Sequence, residues 1–274
     1  MLTKKLSLTL NVGFFSDLAA TRRVAEERGL GIEIQHFADG ALLDGAWREK
    51  VSEIKNAFKN FSGVLSMHGP YDNLDPAAWD PQVQAVSRGR YLHAMQIADQ
   101  IGARIIVFHN WYFPTLRYHH GLPRWLDRRI PVWQDLARSA EKFGVTLVLE
   151  NVWEPDPAPQ IALIDAVNSP FVRACLDTGH ANMTALNPAV HDGTKQPGWG
   201  VGDWIDQLGE RLVYVHAHNN SGAHDDHWAF GKGTLDIAPV LRKLAAMKCP
   251  PRVCLELRNF EDQLSSLKLI DEVL

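Results

Sequence analysis

Eight times along the chain a short apolar, β-branched run gives way to a segment whose apolar residues recur at helical spacing. That alternation limits the fold more than any other feature. The runs are LSLTLNV (6–12), LGIEIQ (30–35), GVLSMH (63–68), RIIVFH (104–109), VTLVLE (145–150), VRACLD (172–177), LVYVHAH (212–218) and RVCLEL (252–257). Between them lie helical segments such as DLAATRRVAEERG, REKVSEIKNAFKNF, AVSRGRYLHAMQIADQIGA, PVWQDLARSAEKFG and IAPVLRKLAAMK, several closing in glycine or a basic residue as helix ends prefer. Strands that are apolar along nearly their whole length need cover on the outside, which a parallel sheet sheathed in helices provides. Eight such units in about 250 residues is the size of a (β/α)8 TIM barrel, an α/β fold, with an open doubly wound sheet as the alternative. A chain of 274 residues with 46% apolar side chains fills one such domain, 1–274, and no low-complexity linker or internal repeat divides it. The segment ANMTALNPAVHDGTKQPGWGVGD (181–203) reads as an enlarged loop after the sixth strand.

Charge and cysteine usage narrow the function class. A net charge of −4 gives no basic signature for nucleic acid or anionic membranes, so any anionic partner must be met locally. No apolar run reaches the ~18 residues of a membrane span, and MLTKKLSLTLNVGFF is too broken by polar residues for a secretion signal, so a cytoplasmic protein is expected. Cys175, Cys249 and Cys254 are odd in number and lack C-x-x-C spacing, which points to free thiols.

A barrel gathers the C-terminal ends of its strands on one face, where its chemistry sits. Here those ends are polar: His68, His109, Glu150, Asp177 followed by His180, His216 and Glu256 come from six consecutive strands. One histidine at a strand end is ordinary, but six strands delivering an imidazole or carboxylate to one rim is not. Carboxylates crowded into one mouth repel one another unless a cation compensates them. A divalent metal is the simplest compensation, and His with carboxylates and no thiolate suits Zn, Mn, Co or Fe.

These residues resemble the xylose-isomerase-like TIM-barrel superfamily, which holds sugar and sugar-phosphate isomerases and epimerases together with the endonuclease IV group of apurinic endonucleases. The resemblance rests on HGPY…NL (68–74), VFH (107–109), LEN (149–151), CLDTGHA (175–181), VHxHNN (215–220), HDDHxxxGKG (224–233) and LEL (255–257). It implies one divalent ion held by Glu150, Asp177, His216 and Glu256. From the endonuclease group it implies up to two further ions, on His68 and His109 and on His180, Asp225 and His227. Two positions depart from the endonuclease pattern: Val152, Trp153 and Glu154 follow Glu150 where that group has glycine and glutamine, and Asn219 stands for its Asp.

The loops expected at the rim carry only Arg117, Arg124, Lys195, Lys232 and Arg258 against eleven acids, a poor surface for a phosphate backbone. Aromatic residues there, Trp111, Trp153 and Trp228 among them, offer a wall for the apolar face of a sugar or cyclitol ring. The expected function is a metal-dependent isomerase or epimerase of a sugar, sugar phosphate or cyclitol, working through a metal-stabilised enediolate. Glu150 and Glu256 serve as base and acid, and His180 orients the substrate oxygen. Dehydratases and lyases share that step, and a trinuclear-zinc phosphodiesterase is the alternative. His218, Lys232 and Arg258 complete the expected substrate contacts, with Lys232 between Gly231 and Gly233, beside Ser221 and Gly222, as the place for any phosphate. The partner is a small molecule rather than nucleic acid or membrane, with homodimer or homotetramer left open.

Overall fold

The computed structural model describes residues 6–113, 121–186 and 199–274. Eight strands close into a barrel in sequence order: β1 (Ser7–Val12), β2 (Gly31–Ile34), β3 (Leu65–His68), β4 (Ile105–His109), β5 (Thr146–Glu150), β6 (Val172–Asp177), β7 (Leu212–Ala217) and β8 (Arg252–Leu255). Every pairing is parallel, and β1 bonds both β2 and β8, which excludes the open doubly wound sheet. The TIM-barrel fold is therefore as the alternation predicts.

The period-two geometry of a strand sorts each run into two faces. Outward residues such as Leu8, Leu10, Ile32, Ile34, Ile106, Phe108, Leu147 and Leu149 join the helices in one continuous apolar layer. Inward residues alternate with them, and Val107, Val148, Cys175, Tyr214 and Cys254 form a separate small cluster inside the barrel. Two residues further along each strand the interior turns polar: His109, Glu150, Asp177, His216 and Glu256 follow these five. The register sets His109 beside Glu150 and Asp177 beside His216. The polar rim thus belongs to the barrel interior and is as rigid as the strands that carry it.

Helix ends follow the local chemistry. Asp17 caps α1 (Leu18–Arg28) by accepting from the backbone N–H groups of Ala19 and Ala20, and α4 (Pro81–Ile101) begins at Asp80 in the same way. Gly29 and Gly102 close these helices at φ 66° and 80°, a conformation only glycine adopts freely. Two expectations need correction. The helix expected from Pro131 begins ten residues earlier, as α5 (Gly121–Phe143), with Pro131 inside it. Trp125, Arg129, Val132 and Trp133 form a stripe buried on both sides of the proline, and that packing outweighs its missing N–H. The enlarged loop at 181–203 is shorter than expected: α7 (Thr178–Leu186) starts directly at the end of β6, and α8 (Val201–Leu208) takes the far end. Residues 187–198 of that segment, with Lys195, and the rim residue Arg117 lie outside the described residues. Among the described residues no helix is long and apolar enough to cross a membrane.

Candidate metal centre

At the mouth of the barrel, Glu150, Asp177, His216 and Glu256 each offer one ligand atom, and the four atoms lie within 4.8 Å of one another. His216 Nδ1 stands 3.3 Å from Glu150 Oε1 and 3.2 Å from Glu256 Oε2. Glu150 reaches the other way as well, its Oε2 lying 3.4 Å from His68 Nε2 and 3.6 Å from His109 Nε2. Asp177 is steadied from both sides. Its backbone N–H donates to Asn151 Oδ1 at 2.8 Å, and its carboxylate accepts the His180 N–H at 2.7 Å at the start of α7. The motif residue Asn151 therefore ties β5 to β6.

The imidazoles decide what this cluster can hold. His68 Nδ1 donates to the Gly69 carbonyl (2.8 Å), His180 Nδ1 to the Asn151 carbonyl (2.8 Å) and His227 Nδ1 to the Glu256 carbonyl (2.9 Å). Each ring then turns Nε2 toward a carboxylate, Glu150 for His68 and Asp225 for the other two, where a proton or a metal ion must lie between them. His216 is reversed: Nε2 faces Glu33 Oε2 at 3.0 Å, and Nδ1 looks at Glu150 and Glu256. His216 Nδ1 and Glu150 Oε2 are buried without a hydrogen-bond partner. Lone pairs of nitrogen and oxygen converging on one point need a cation between them, and rings anchored through their other nitrogen are how proteins orient metal-ligating histidines. The donor set fits a divalent ion.

The same demand for positive charge appears in the acidities. Burial alone would raise the Glu150 carboxyl, but the His216 and His68 imidazoles hold it well below the usual carboxylate range. Burial opposes a charged His216, yet Glu256, Glu33 and Glu150 hold its pKa well above the ordinary histidine value. His109, buried and less closely paired, is pushed down to about 3 and stays neutral, as a ligand must be.

A second group lies beside the first. His218, Asp225 and His227 also offer atoms within 4.8 Å of one another, and Asp225 Oδ2 is 3.3 Å from His180 Nε2 and 3.0 Å from His227 Nε2. The loop is held in place by Asn219, whose backbone pairs with Trp228 and whose side chain bonds both backbone groups of Leu235. His227 sits at φ 51°, an unusual conformation for a bulky residue. His218 is fully buried with Nε2 at 3.1 Å from both Asp177 oxygens, stacked 4.0 Å from His227. It braces Asp177.

Above these groups opens a cavity of about 900 Å³, lined by His68, His109, Glu150, His180, Asp225, His227 and Glu256 together with Tyr71, Trp153, Phe14 and Phe15. Of the expected substrate contacts, Trp153 and Arg258 line it, with Arg258 also donating to the Asp225 carbonyl. Trp111 and Trp228 are not among its lining residues, and Lys232 pairs with Asp262. The loop groups expected to receive a phosphate are engaged within the protein: the Ser221 backbone N–H and hydroxyl both donate to Asp226. The strand-end reading overlooks Glu33, Gln35, Phe14, Phe15 and Tyr71. The first two carry a legible signal, since GIEIQ places them two apart on the inward face of β2.

A sequence profile described as xylose isomerase-like TIM barrel matches residues 23–272. The protein MJ1311 of Methanocaldococcus jannaschii, itself uncharacterised, is 26% identical over 216 residues, covering 77% of this chain and 70% of its own. The TTHB071 protein from Thermus thermophilus, solved after soaking with ZnCl2, superposes with a TM-score of 0.74 at 26% identity over 98% of both chains. A D-tagatose 3-epimerase-like protein superposes with a TM-score of 0.75 at 19% identity over 96% of both chains, a likeness of fold. With a closed eight-stranded barrel and a profile match along nearly its whole length, the chain belongs to the xylose isomerase-like TIM barrel family.

Proposed function

We propose that the protein is a divalent-metal-dependent isomerase or epimerase acting on a sugar or cyclitol. The observation that carries this reading is the pair of glutamates, Glu150 and Glu256, 3.3 and 3.2 Å from Nδ1 of one buried histidine, His216. An ion held there by Glu150, Asp177, His216 and Glu256 would polarise a carbonyl and the adjacent hydroxyl, making the C–H between them acidic. The two glutamates would then exchange protons with carbon from different sides, one removing a proton as carboxylate and the other returning one as carboxylic acid. That inverts a carbon or moves a carbonyl. His180, anchored through Nδ1, turns its other nitrogen to Asp225 beside the cavity, where a substrate oxygen would compete for it. The likeness to an epimerase-like structure supports a carbohydrate substrate.

The cavity wall supports a neutral substrate. Arg258 is the one Lys or Arg among its described lining residues, against Asp17, Asp39, Asp72, Asp225 and Glu261 besides the two central glutamates. Phe14, Phe15, Tyr71 and Trp153 give it apolar surface for a ring to rest on. Incubation with ketoses or inososes in D2O should exchange deuterium into carbon, and Glu256→Gln should abolish the exchange. Exchange that survives removes Glu256 from this role.

One observation favours a second reading. His180 and His227 both aim at Asp225, an arrangement suited to a further ion, which with His68 and His109 would give three ions and phosphodiester hydrolysis. Three zinc ions per chain with cleavage of an abasic-site duplex would establish it over the isomerase.

A further inference from the structure

Strand β2 supplies none of the four ligands Glu150, Asp177, His216 and Glu256, yet Glu33 within it and Gln35 just past its end touch two of them. Glu33 is fully buried and its Oε2 lies 3.0 Å from His216 Nε2. Gln35 Nε2 donates to Glu33 Oε1 at 3.2 Å and to Glu256 Oε1 at 2.6 Å.

The polarity of these contacts can be followed from a backbone group whose role is fixed. The Leu257 N–H donates to Asn11 Oδ1 at 3.0 Å, so Asn11 must turn its Nδ2 outward, where it donates to Gln35 Oε1 at 2.9 Å. Gln263 Nε2 reinforces that orientation by donating to the same Asn11 Oδ1 at 2.6 Å. With its oxygen committed, Gln35 offers only N–H donors to Glu33 and Glu256, and both carboxylates accept. Glu33 keeps one oxygen for His216, and a buried carboxylate oxygen demands a donor, so Nε2 carries a proton and Nδ1 is the nitrogen left to face an ion.

We propose that Glu33 and Gln35 are positioning residues that fix the tautomer of His216 and the carboxylate of Glu256, and so set the affinity of the site for its divalent ion. The proposal rests on the reading that an ion binds at His216 Nδ1. A carboxylate behind a ligating imidazole orients the ring and raises its basicity. Glutamine cannot replace Glu33 without loss. If its oxygen accepts from His216, its amide nitrogen meets the amide nitrogen of Gln35, donor against donor. Either the imidazole or the clamp on Glu256 must then let go.

The test is zinc titration of the purified chain against a chromophoric chelator, with thermal melting of the metal-free proteins alongside. Glu33→Gln should bind zinc roughly 10–100-fold more weakly than the native chain, the usual effect of removing such a partner, while melting as a folded protein. Gln35→Met should weaken zinc binding as well. Native chain and Glu33→Gln binding zinc equally tightly would overturn the proposal and leave the metal site standing. A native chain that takes up no zinc would remove both. Should Glu33→Gln fail to fold, 15N-histidine NMR of the zinc-loaded native chain decides: a proton on His216 Nε2 supports the proposal, and a proton on Nδ1 overturns it.

Discussion

Gly179 lies in the DTGH turn between Asp177 and His180, and replacing it by alanine tests whether His218 braces Asp177. A Cβ at that position would stand 1.9 Å from His218 Cε1, with both ring nitrogens within 2.6 Å. Ordinary contact begins near 3.4 Å, so the imidazole must retreat by roughly 1.5 Å. It has nowhere to go: it is fully buried, bonded to both oxygens of Asp177 and stacked on His227. Overpacking of this kind costs about 1–3 kcal/mol, and pulling a donor from a buried carboxylate a similar amount, together about 2–6 kcal/mol. For a chain of this size that corresponds to a melting temperature lower by roughly 3–10 °C. Asp177 would lose its orientation, so zinc affinity should fall with stability. Gly89→Ala is the control, because Gly89 lies inside α4 with nothing within 4 Å of an added methyl, and the change should stabilise the helix by about 0.5–1 kcal/mol. Differential scanning calorimetry with zinc titration reads both. A Gly179→Ala protein that melts with the native chain and binds zinc equally would refute the reasoning.

Three further outcomes are expected. Glu154 is buried and its carboxyl is pushed up to about 7 by that burial; the folded chain therefore holds a proton there that the unfolded chain releases near 4.5. Stability from this group is complete below 4.5 and falls as pH rises through about 7, by about 3 kcal/mol, so Glu154→Gln should flatten urea-derived stability across that window, and an unchanged slope would assign the fall to other groups. Arg129, with 7% of its side chain exposed, pairs with the 30% exposed Asp75 at 2.7 Å; Asp75→Asn strands a buried cation and should destabilise by about 3 kcal/mol, more than Arg129→Met, which leaves a carboxylate that water can reach, and the reverse order in urea unfolding would contradict this. Zinc at about a hundred times its dissociation constant should stabilise the chain by about 2.7 kcal/mol, an effect that EDTA reverses in a melting experiment.

The barrel is legible because its strands are apolar on both faces, and the rim because each strand turns polar at one end. Glu33 is harder to see. It stands in mid-strand, two residues below the rim, and a lone carboxylate in an apolar run reads as an edge position until barrel closure buries it. His216 and His218 share a motif, one in β7 and one just past its end, yet the first turns Nδ1 to the cluster while the second supports Asp177 from behind. Residue type cannot separate these roles, because they depend on which way a side chain leaves the barrel. The aromatic residues behave likewise: Trp153 lines the cavity while Trp111 and Trp228 do not, although all three follow polar strand-end or loop residues. Pro131 misleads in the ordinary way, as a local helix breaker overridden by a long buried stripe.

The rim draws its imidazoles and carboxylates from β3 through β8, and β2 holds two of them in position. No contiguous stretch of the chain contains the centre, so a fragment ending before β8 lacks Glu256 and one beginning after β2 lacks the anchor of His216. Such a centre comes into being only when β2 and β8 have both joined the ring. Ion uptake would therefore report on assembly of the ring, and it would do so from within, at the mouth where the ends of seven strands meet.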